Sequence, residues 1–357
     1  MKKNQLILGV VVLAALVGLA LYAQHKHPFD FHAFGDQFKQ ANWGQIAIGA
    51  GCIYLGYLFR AARWALLIRP NKKVPLFSLL GTQVIGFTAV ALIGRVADPV
   101  RPYLVSRRTG LPISSQIAVY IVERLFDAGS MALIFSSVIL LAPAGALPHP
   151  EVFRKFGYWG LAGTLAGAIF LFLVRLTGGA VAAFLEGTIG LLSKRLGHSI
   201  GDKVRSFQTG LHTLHTPGDF VITLGISLSM WALITVAYLE TARAFVASPE
   251  LASLSLAQGM VLMVSSGVAS TIQLPVVGWF TQIYAVAATL GKLFNVAPEP
   301  ATACAATLLL VTFLCIVPIG LIWAQFTHVS LRKVSVESEH AAEEAAEEPM
   351  IDEPSGA

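Results

Sequence analysis

PLFSLLGTQVIGFTAVALIG, residues 75–94, contains no charged side chain, yet Lys72 and Lys73 precede it and Arg101, Arg107 and Arg108 follow it. A helix of about 20 apolar residues is long enough to cross a bilayer. Clusters of Lys and Arg hold the segments that carry them on the cytoplasmic side. A stretch with basic clusters at both ends therefore enters and leaves on one side, which makes it a re-entrant hairpin. A second apolar stretch, residues 254–290, is interrupted by Gln273-Leu-Pro275-Val-Val-Gly278. Closing the topology needs both of its ends outside, so it reads as a second hairpin entering from the opposite face.

The rest of the chain supplies the spans around these hairpins. Of 357 residues, 55% are hydrophobic and 13% charged, against roughly a quarter charged in a soluble protein. The mean hydropathy is +0.69. A soluble globular fold is excluded, and one polytopic membrane domain over residues 1–327 is expected. Six segments are long enough to cross: Gln5 to Ala23, Gly44 to Ile68, Pro112 to Leu141, Phe156 to Leu176, Phe220 to Phe245 and Ala301 to Phe326. The first is too long for a signal-peptide core and is followed by a poor cleavage site, so it counts as a span. Connections assigned to the cytoplasm hold fifteen Lys and Arg and the opposite set five. That bias fits six crossings with both termini cytoplasmic.

The expected fold is thus all-α, with six full spans and two oppositely oriented re-entrant hairpins. Broken segments at membrane depth need protein or a water-filled cavity to satisfy their amides. Two of opposite orientation match the inverted-repeat plan of transporters, with a polar site between them. Residues 177–216 mix Lys194, Arg195, His198, Lys203 and Arg205 with Leu and Val at helical intervals, and read as a cytoplasmic interfacial helix.

Ionisable groups within apolar spans cost about 3 kcal/mol each on insertion scales and mark function. Arg60 and Arg63 are three apart near the end of the second span and share a helix face; snorkelling to the interface is the other reading. In Gly94-Arg95-Val-Ala-Asp98-Pro99-Val-Arg101, Pro99 is suited to opening a helix just after Asp98,. The free amides of such a helix, with Arg95 and Arg101, form an anion site, because a guanidinium fork donates two parallel hydrogen bonds to phosphate. Glu123 and Asp127 lie four apart on one face of the next span, with Arg124 turned about a hundred degrees toward another helix,. The two carboxylates read as partners for the arginines of the first hairpin. Glu240 and Arg243 read as an interfacial ion pair.

Arg60, Arg63, Arg95, Arg101 and Arg124 outnumber Asp98, Glu123 and Asp127 by five to three. A cavity with surplus positive charge and an apolar rim suits a lipid phosphate. No metal site or cofactor is expected: Cys52, Cys304 and Cys315 lie in apolar runs without ligand spacing, and His25, His27 and His32 match no ligand motif,. No nucleic-acid motif is present.

The order Arg60-Ala-Ala-Arg63-Trp64, Gly94-Arg95-Val-Ala-Asp98-Pro-Val-Arg101, Arg107-Arg108-Thr-Gly110, Glu123-Arg124-Leu-Phe-Asp127 and Pro275-Val-Val-Gly278 resembles the flippase-like transmembrane domain of the lysylphosphatidylglycerol synthase family. The resemblance covers roughly residues 5 to 327. Relative to the family's first motif, Ala97 replaces Gly, Asp98 replaces Glu and Ile93 replaces Pro. In the later motif Gln282 stands near the family's acid, with Gly94, Pro99, Pro275, Gly278 and Gln282 as hairpin or gating positions. The resemblance implies translocation of a phospholipid or isoprenoid-linked lipid across a bacterial inner membrane. Residues 328–357 are strongly acidic and are expected to form a disordered cytoplasmic tail, too short for the family's aminoacyltransferase domain. No enzymatic activity is expected, and headgroup chemistry falls to a separate lipid synthase or glycosyltransferase. The alternatives are a membrane-embedded lipid-modifying enzyme using Glu123 or Asp127 as base, and a transporter or accessory subunit of an envelope lipid system.

Overall fold

The computed structural model describes residues 29–190, 216–271 and 277–347. Among these, all regular structure is helical: α1 Phe31–Gln40, α2 Trp43–Ile68, α3 Leu76–Ile93, α4 Val100–Thr109, α5 Ile113–Leu140, α6 Pro150–Gly190, α7 Pro217–Arg243, α8 Leu256–Ala269, α9 Val277–Phe294, α10 Pro298–Phe326 and α11 Leu331–Glu347. Five of the six apolar segments expected to cross coincide with α2, α5, α6, α7 and α10, overrunning α5 and α7 by no more than two residues at an end. The sixth, Gln5 to Ala23, lies outside the described residues. By length and hydropathy α2, α3, α7 and α10 are candidate membrane spans; α5 carries Glu123, Arg124 and Asp127 in its middle.

Several helix starts are set by local side chains, which satisfy amides that have no partner within the helix. Asn42 accepts from the amides of Gly44 and Gln45 at the start of α2. Thr216 with Asp219, and Ser255 with Gln258, form reciprocal caps on α7 and α8,. α10 is continuous apart from a π turn at Leu310–Leu314, and α6 kinks at Thr177 (φ −134°, ψ 31°). Residues 177–190 thus continue α6, while most of the expected interfacial segment lies outside the described residues.

The chain reverses after α3 where Gly94 adopts φ 96°, a conformation that a Cβ would strain. A 3₁₀ turn, Arg95–Ala97, and Pro99 then lead into α4. α4 returns along α3: Arg108 Nε donates to Ser78 Oγ (2.9 Å) and Lys72 Nζ to the Thr109 carbonyl (2.5 Å). This corrects the expected first hairpin. Residues 75–94 hold no internal reversal, because Gly81 and Gly86 sit inside an intact helix; the turn is at 94–99, with α4 as the return arm. α8 and α9 form the second hairpin, held by Ser265 to Thr289 (2.8 Å) and Gln282 to Ser266 (2.5 Å). Part of its turn, including Pro275, lies outside the described residues.

A long helix, a hairpin and a long helix thus occur twice, as α2 to α5 and as α7 to α10. The leading helices α2 and α7 pack closely. They run antiparallel, with the Asn42 amide on the Ala244 carbonyl (2.8 Å) at one end and Arg63 on Ser227 (2.8 Å) toward the other. The hairpins meet where Arg95 Nε donates to the Ser270 carbonyl (2.9 Å) at the end of α8. The largest apolar cluster joins α7, α8, α9 and α10 through Tyr238, Met260, Leu262, Leu290, Cys304 and Leu308. Phe156, Trp159, Leu165, Ile169 and Phe170 on α6 are exposed, a surface suited to lipid rather than water.

The acidic end of the chain differs from expectation. Leu331–Glu347 form a helix rather than a disordered tail, and α11 packs on α3, α4, the Arg95–Ala97 turn and α5. Val334 and Ser338 are buried there. Glu337 accepts from Tyr103 Oη (2.8 Å), which holds its carboxyl below the usual range, and pairs with Arg107 (3.4 Å) and Lys333 (3.6 Å). Residues 348–357 lie outside the described residues.

Candidate functional site

Glu123 and Asp127 point from α5 into the junction of α2, α3, α4 and α7, and both are buried. Arg60 and Arg63 reach them from α2, Arg101 from the first turn of α4 and Arg124 from α5 itself. Glu123 Oε1 lies 2.7 Å from Arg101, 2.7 Å from Arg124, 3.1 Å from Arg63 and 3.8 Å from Arg60. Asp127 lies 2.7 Å from Arg63, 2.8 Å from Arg124 and 3.7 Å from Arg60. Four guanidiniums thus share two carboxylates.

Neutral groups complete the cluster. Arg101 donates through Nε and Nη2 to Gln83 Oε1 (3.0 and 2.7 Å). Its guanidinium lies over the rings of Phe87, Trp64 and Tyr120 (4.3, 5.1 and 5.5 Å), contacts that stabilise a cation withdrawn from water. Arg60 lies over Phe87 (4.8 Å) and Arg124 over Tyr120 (5.2 Å). Arg63 Nη1 donates to Asp127 and to Ser227 Oγ (2.7 and 2.8 Å). Gln116 accepts from Trp64 Nε1 (3.1 Å) and so fixes the ring beside Arg101. A Cβ at Gly86 would strike the Arg101 side chain, so this glycine provides the room through which α4 sends Arg101 inward.

The donors are not all used. Arg60 Nη1, Arg63 Nε and Nη2, and Arg124 Nε are buried without an aligned hydrogen bond among the described residues, Arg63 Nη2 standing 3.1 Å from Glu123 Oε1; Asp127 Oδ2 also lacks one. Buried polar groups in folded proteins are overwhelmingly hydrogen-bonded. Arg63 and Arg101 are enclosed, whereas the side chains of Arg60 and Arg124 are 13% and 40% exposed. The cluster is therefore reached from the Arg124 side.

Arg60, Arg63, Arg101, Arg124, Glu123 and Asp127 are brought together. Arg95 is not among them: it bonds Ser270 and sits 4.0 Å from Asp98. A cation at the carbonyl end of α8 is favoured by that helix's dipole. α4 does begin just after Asp98-Pro99, but Arg95 and Arg101 leave its start in different directions instead of converging on one anion. Arg124, expected to face another helix, folds back onto Glu123 and Asp127. Arg243 forks onto the Leu254 carbonyl (2.9 and 2.6 Å) rather than onto Glu240. In the second half, Gln282 donates to Ser266, which also bonds Tyr238 Oη (2.7 Å), a buried neutral knot between α7, α8 and α9. Gly278 is buried one residue after the start of α9.

Gln83, Ser227 and the aromatic rings were not foreseen. Gln83 had a signal, as an amide in the middle of an otherwise apolar run. Ser227 had none, since serine is common in membrane helices.

No significant match was found among curated proteins or solved structures. The family model described as the lysylphosphatidylglycerol synthase TM region matches residues 6–320. With that match spanning most of a helical chain whose apolar helices are long enough to cross a membrane, the protein belongs to the lysylphosphatidylglycerol synthase transmembrane-region family and is a multi-pass membrane protein.

Proposed function

We propose that the chain is a non-enzymatic lipid translocator that binds the phosphate of an anionic phospholipid or isoprenoid-linked lipid at the arginine cluster. The observation that carries this reading is the set of four guanidinium donors without an aligned hydrogen bond, beside a surplus of positive charge. Anion binding supplies both the missing acceptors and the missing charge. Arg60, Arg63 and Arg124 contact the phosphate. Arg101, held by Gln83 and the rings, positions Glu123, and the two carboxylates keep the guanidiniums from dispersing.

In the same reading α2, α5, α6, α7 and α10 cross the membrane together with Gln5 to Ala23, and the α3–α4 and α8–α9 hairpins are re-entrant from opposite faces. Arg69, Lys72, Lys73, Arg107 and Arg108 gather near the ends of α2 and α4, in keeping with a cytoplasmic face and with both termini in the cytoplasm of a bacterial inner membrane,. Opposed hairpins meeting at Arg95 and Ser270 form a barrier that relative movement of the two halves would open, as in transporters built from inverted repeats. Any headgroup chemistry belongs to a separate synthase or glycosyltransferase.

The test is leaflet exchange of tail-labelled lipid in proteoliposomes. The protein is expected to move phosphatidylglycerol well above the protein-free rate and phosphatidylcholine more slowly. Exchange of phosphatidylglycerol no faster than in protein-free vesicles would overturn the reading.

A further inference from the structure

Building on the anionic-lipid reading, we infer that the arginine cluster is matched to a lipid whose terminal phosphate carries two negative charges, a phosphomonoester or a diphosphate, in preference to a phosphodiester carrying one.

Two observations point the same way. The first is charge. Among the described residues, Arg60, Arg63, Arg101 and Arg124 make their ion pairs with Glu123 and Asp127, while the nearby Asp98 pairs with Arg95. The other polar groups at the cluster, Gln83, Gln116, Ser227 and Tyr120, are neutral, so two positive charges remain. A phosphodiester leaves one of them uncompensated, and in surroundings of low effective dielectric an unmatched charge is costly. A phosphomonoester with two charges leaves none, and a prenyl diphosphate, with about three at pH 8, exceeds them by one.

The second is the number and origin of the open donors. Arg60 Nη1, Arg63 Nε, Arg63 Nη2 and Arg124 Nε come from three side chains on two helices. A phosphodiester offers two non-bridging oxygens, whereas a phosphomonoester offers three and a diphosphate more. The richer acceptors meet the four donors with less sharing of each oxygen, and full engagement of buried donors is the rule. Two of the three arginines with open donors, Arg60 and Arg124, have partly exposed side chains, whereas Arg63 is enclosed behind them. Arg101, by contrast, spends its fork on Gln83 and Glu123.

The experiment measures binding to the full chain in phosphatidylcholine nanodiscs at pH 8, where a phosphomonoester is doubly ionised, its second pKa lying near about 6. The probes are phosphatidic acid, geranylgeranyl diphosphate and phosphatidylglycerol. Phosphatidic acid, the diphosphate or both are expected to bind at least about tenfold more tightly than phosphatidylglycerol, and the tighter of the two identifies the headgroup. Arg60→Gln removes one charge and one open donor, and its carboxylate contacts are the longest in the cluster, so it is the replacement least disruptive to folding. In this variant, checked by gel filtration, the preference is expected to fall toward one. Phosphatidylglycerol binding as tightly as phosphatidic acid and the diphosphate, or a preference unchanged in Arg60→Gln, would overturn the inference while leaving the anion site standing. Binding of none of the three would overturn the anion site itself.

Discussion

Glu123→Ala is expected to abolish the folded protein: detergent-solubilised variant should lose its monodisperse gel-filtration peak. Glu123 is completely buried and lies within 3.1 Å of Arg101, Arg124 and Arg63. Removing it leaves four guanidiniums with Asp127 alone and strands Arg101 among aromatic rings with only Gln83 as hydrogen-bond acceptor. Removing one partner of a buried ion pair costs about 3–5 kcal/mol, a large share of the roughly 5–15 kcal/mol that holds a typical domain together. Glu123→Gln keeps the shape and one acceptor oxygen and should be milder. Glu339→Ala, at an exposed site on α11, should elute like the unaltered protein. A Glu123→Ala variant that elutes and melts normally would show that the cluster does not depend on this charge.

Arg63→Gln is expected to do the opposite, preserving the fold while reducing retention of anionic lipid about tenfold or more, read by native mass spectrometry. The asymmetry follows from the charge count. Subtracting a cation from a cluster with too many leaves no carboxylate unpaired, because Asp127 keeps Arg124 at 2.8 Å and Glu123 keeps Arg101 and Arg124 at 2.7 Å. The lipid, however, loses a side chain with two donors that lack an aligned hydrogen bond among the described residues; each hydrogen bond to a charged group is worth about 1.5–3 kcal/mol. If Arg63→Gln unfolds as Glu123→Ala does, the surplus of positive charge is structural. If it retains lipid normally, the open donors of Arg63 do not bind it.

Much of this arrangement is legible in the sequence. Basic clusters on both sides of residues 75–94 point to a segment that turns back; α3 runs straight, and the chain turns back only after it, with α4 lying along α3. The four-residue spacing of Glu123 and Asp127 and the three-residue spacing of Arg60 and Arg63 put each pair on one helix face, and these faces meet. Such readings succeed because helical period and membrane electrostatics act locally. The reversal lies at the end of the apolar stretch rather than within it, because Gly81 and Gly86 are accommodated in intact α3 while Gly94 takes a positive φ.

The remaining differences come from partners distant in sequence. Arg95 has the same local credentials as Arg101, but Ser270, 175 positions away, holds it. Arg124 folds back because Glu123 and Asp127 present more negative charge than any other helix brings there. α11 illustrates composition overridden by context. Its acids suggest a solvated tail, yet Val334 docks with Val100 and Leu104 while Glu337 finds Tyr103, Arg107 and Lys333.

The most direct test is a crystal structure of the protein grown in a lipidic mesophase doped with the anionic lipid it binds best. Phosphate density is expected at hydrogen-bond distance, about 3 Å, from Arg63 Nε and Nη2, Arg60 Nη1 and Arg124 Nε. An ordered headgroup elsewhere on the protein, with these donors closed onto Glu123 and Asp127, would contradict the account.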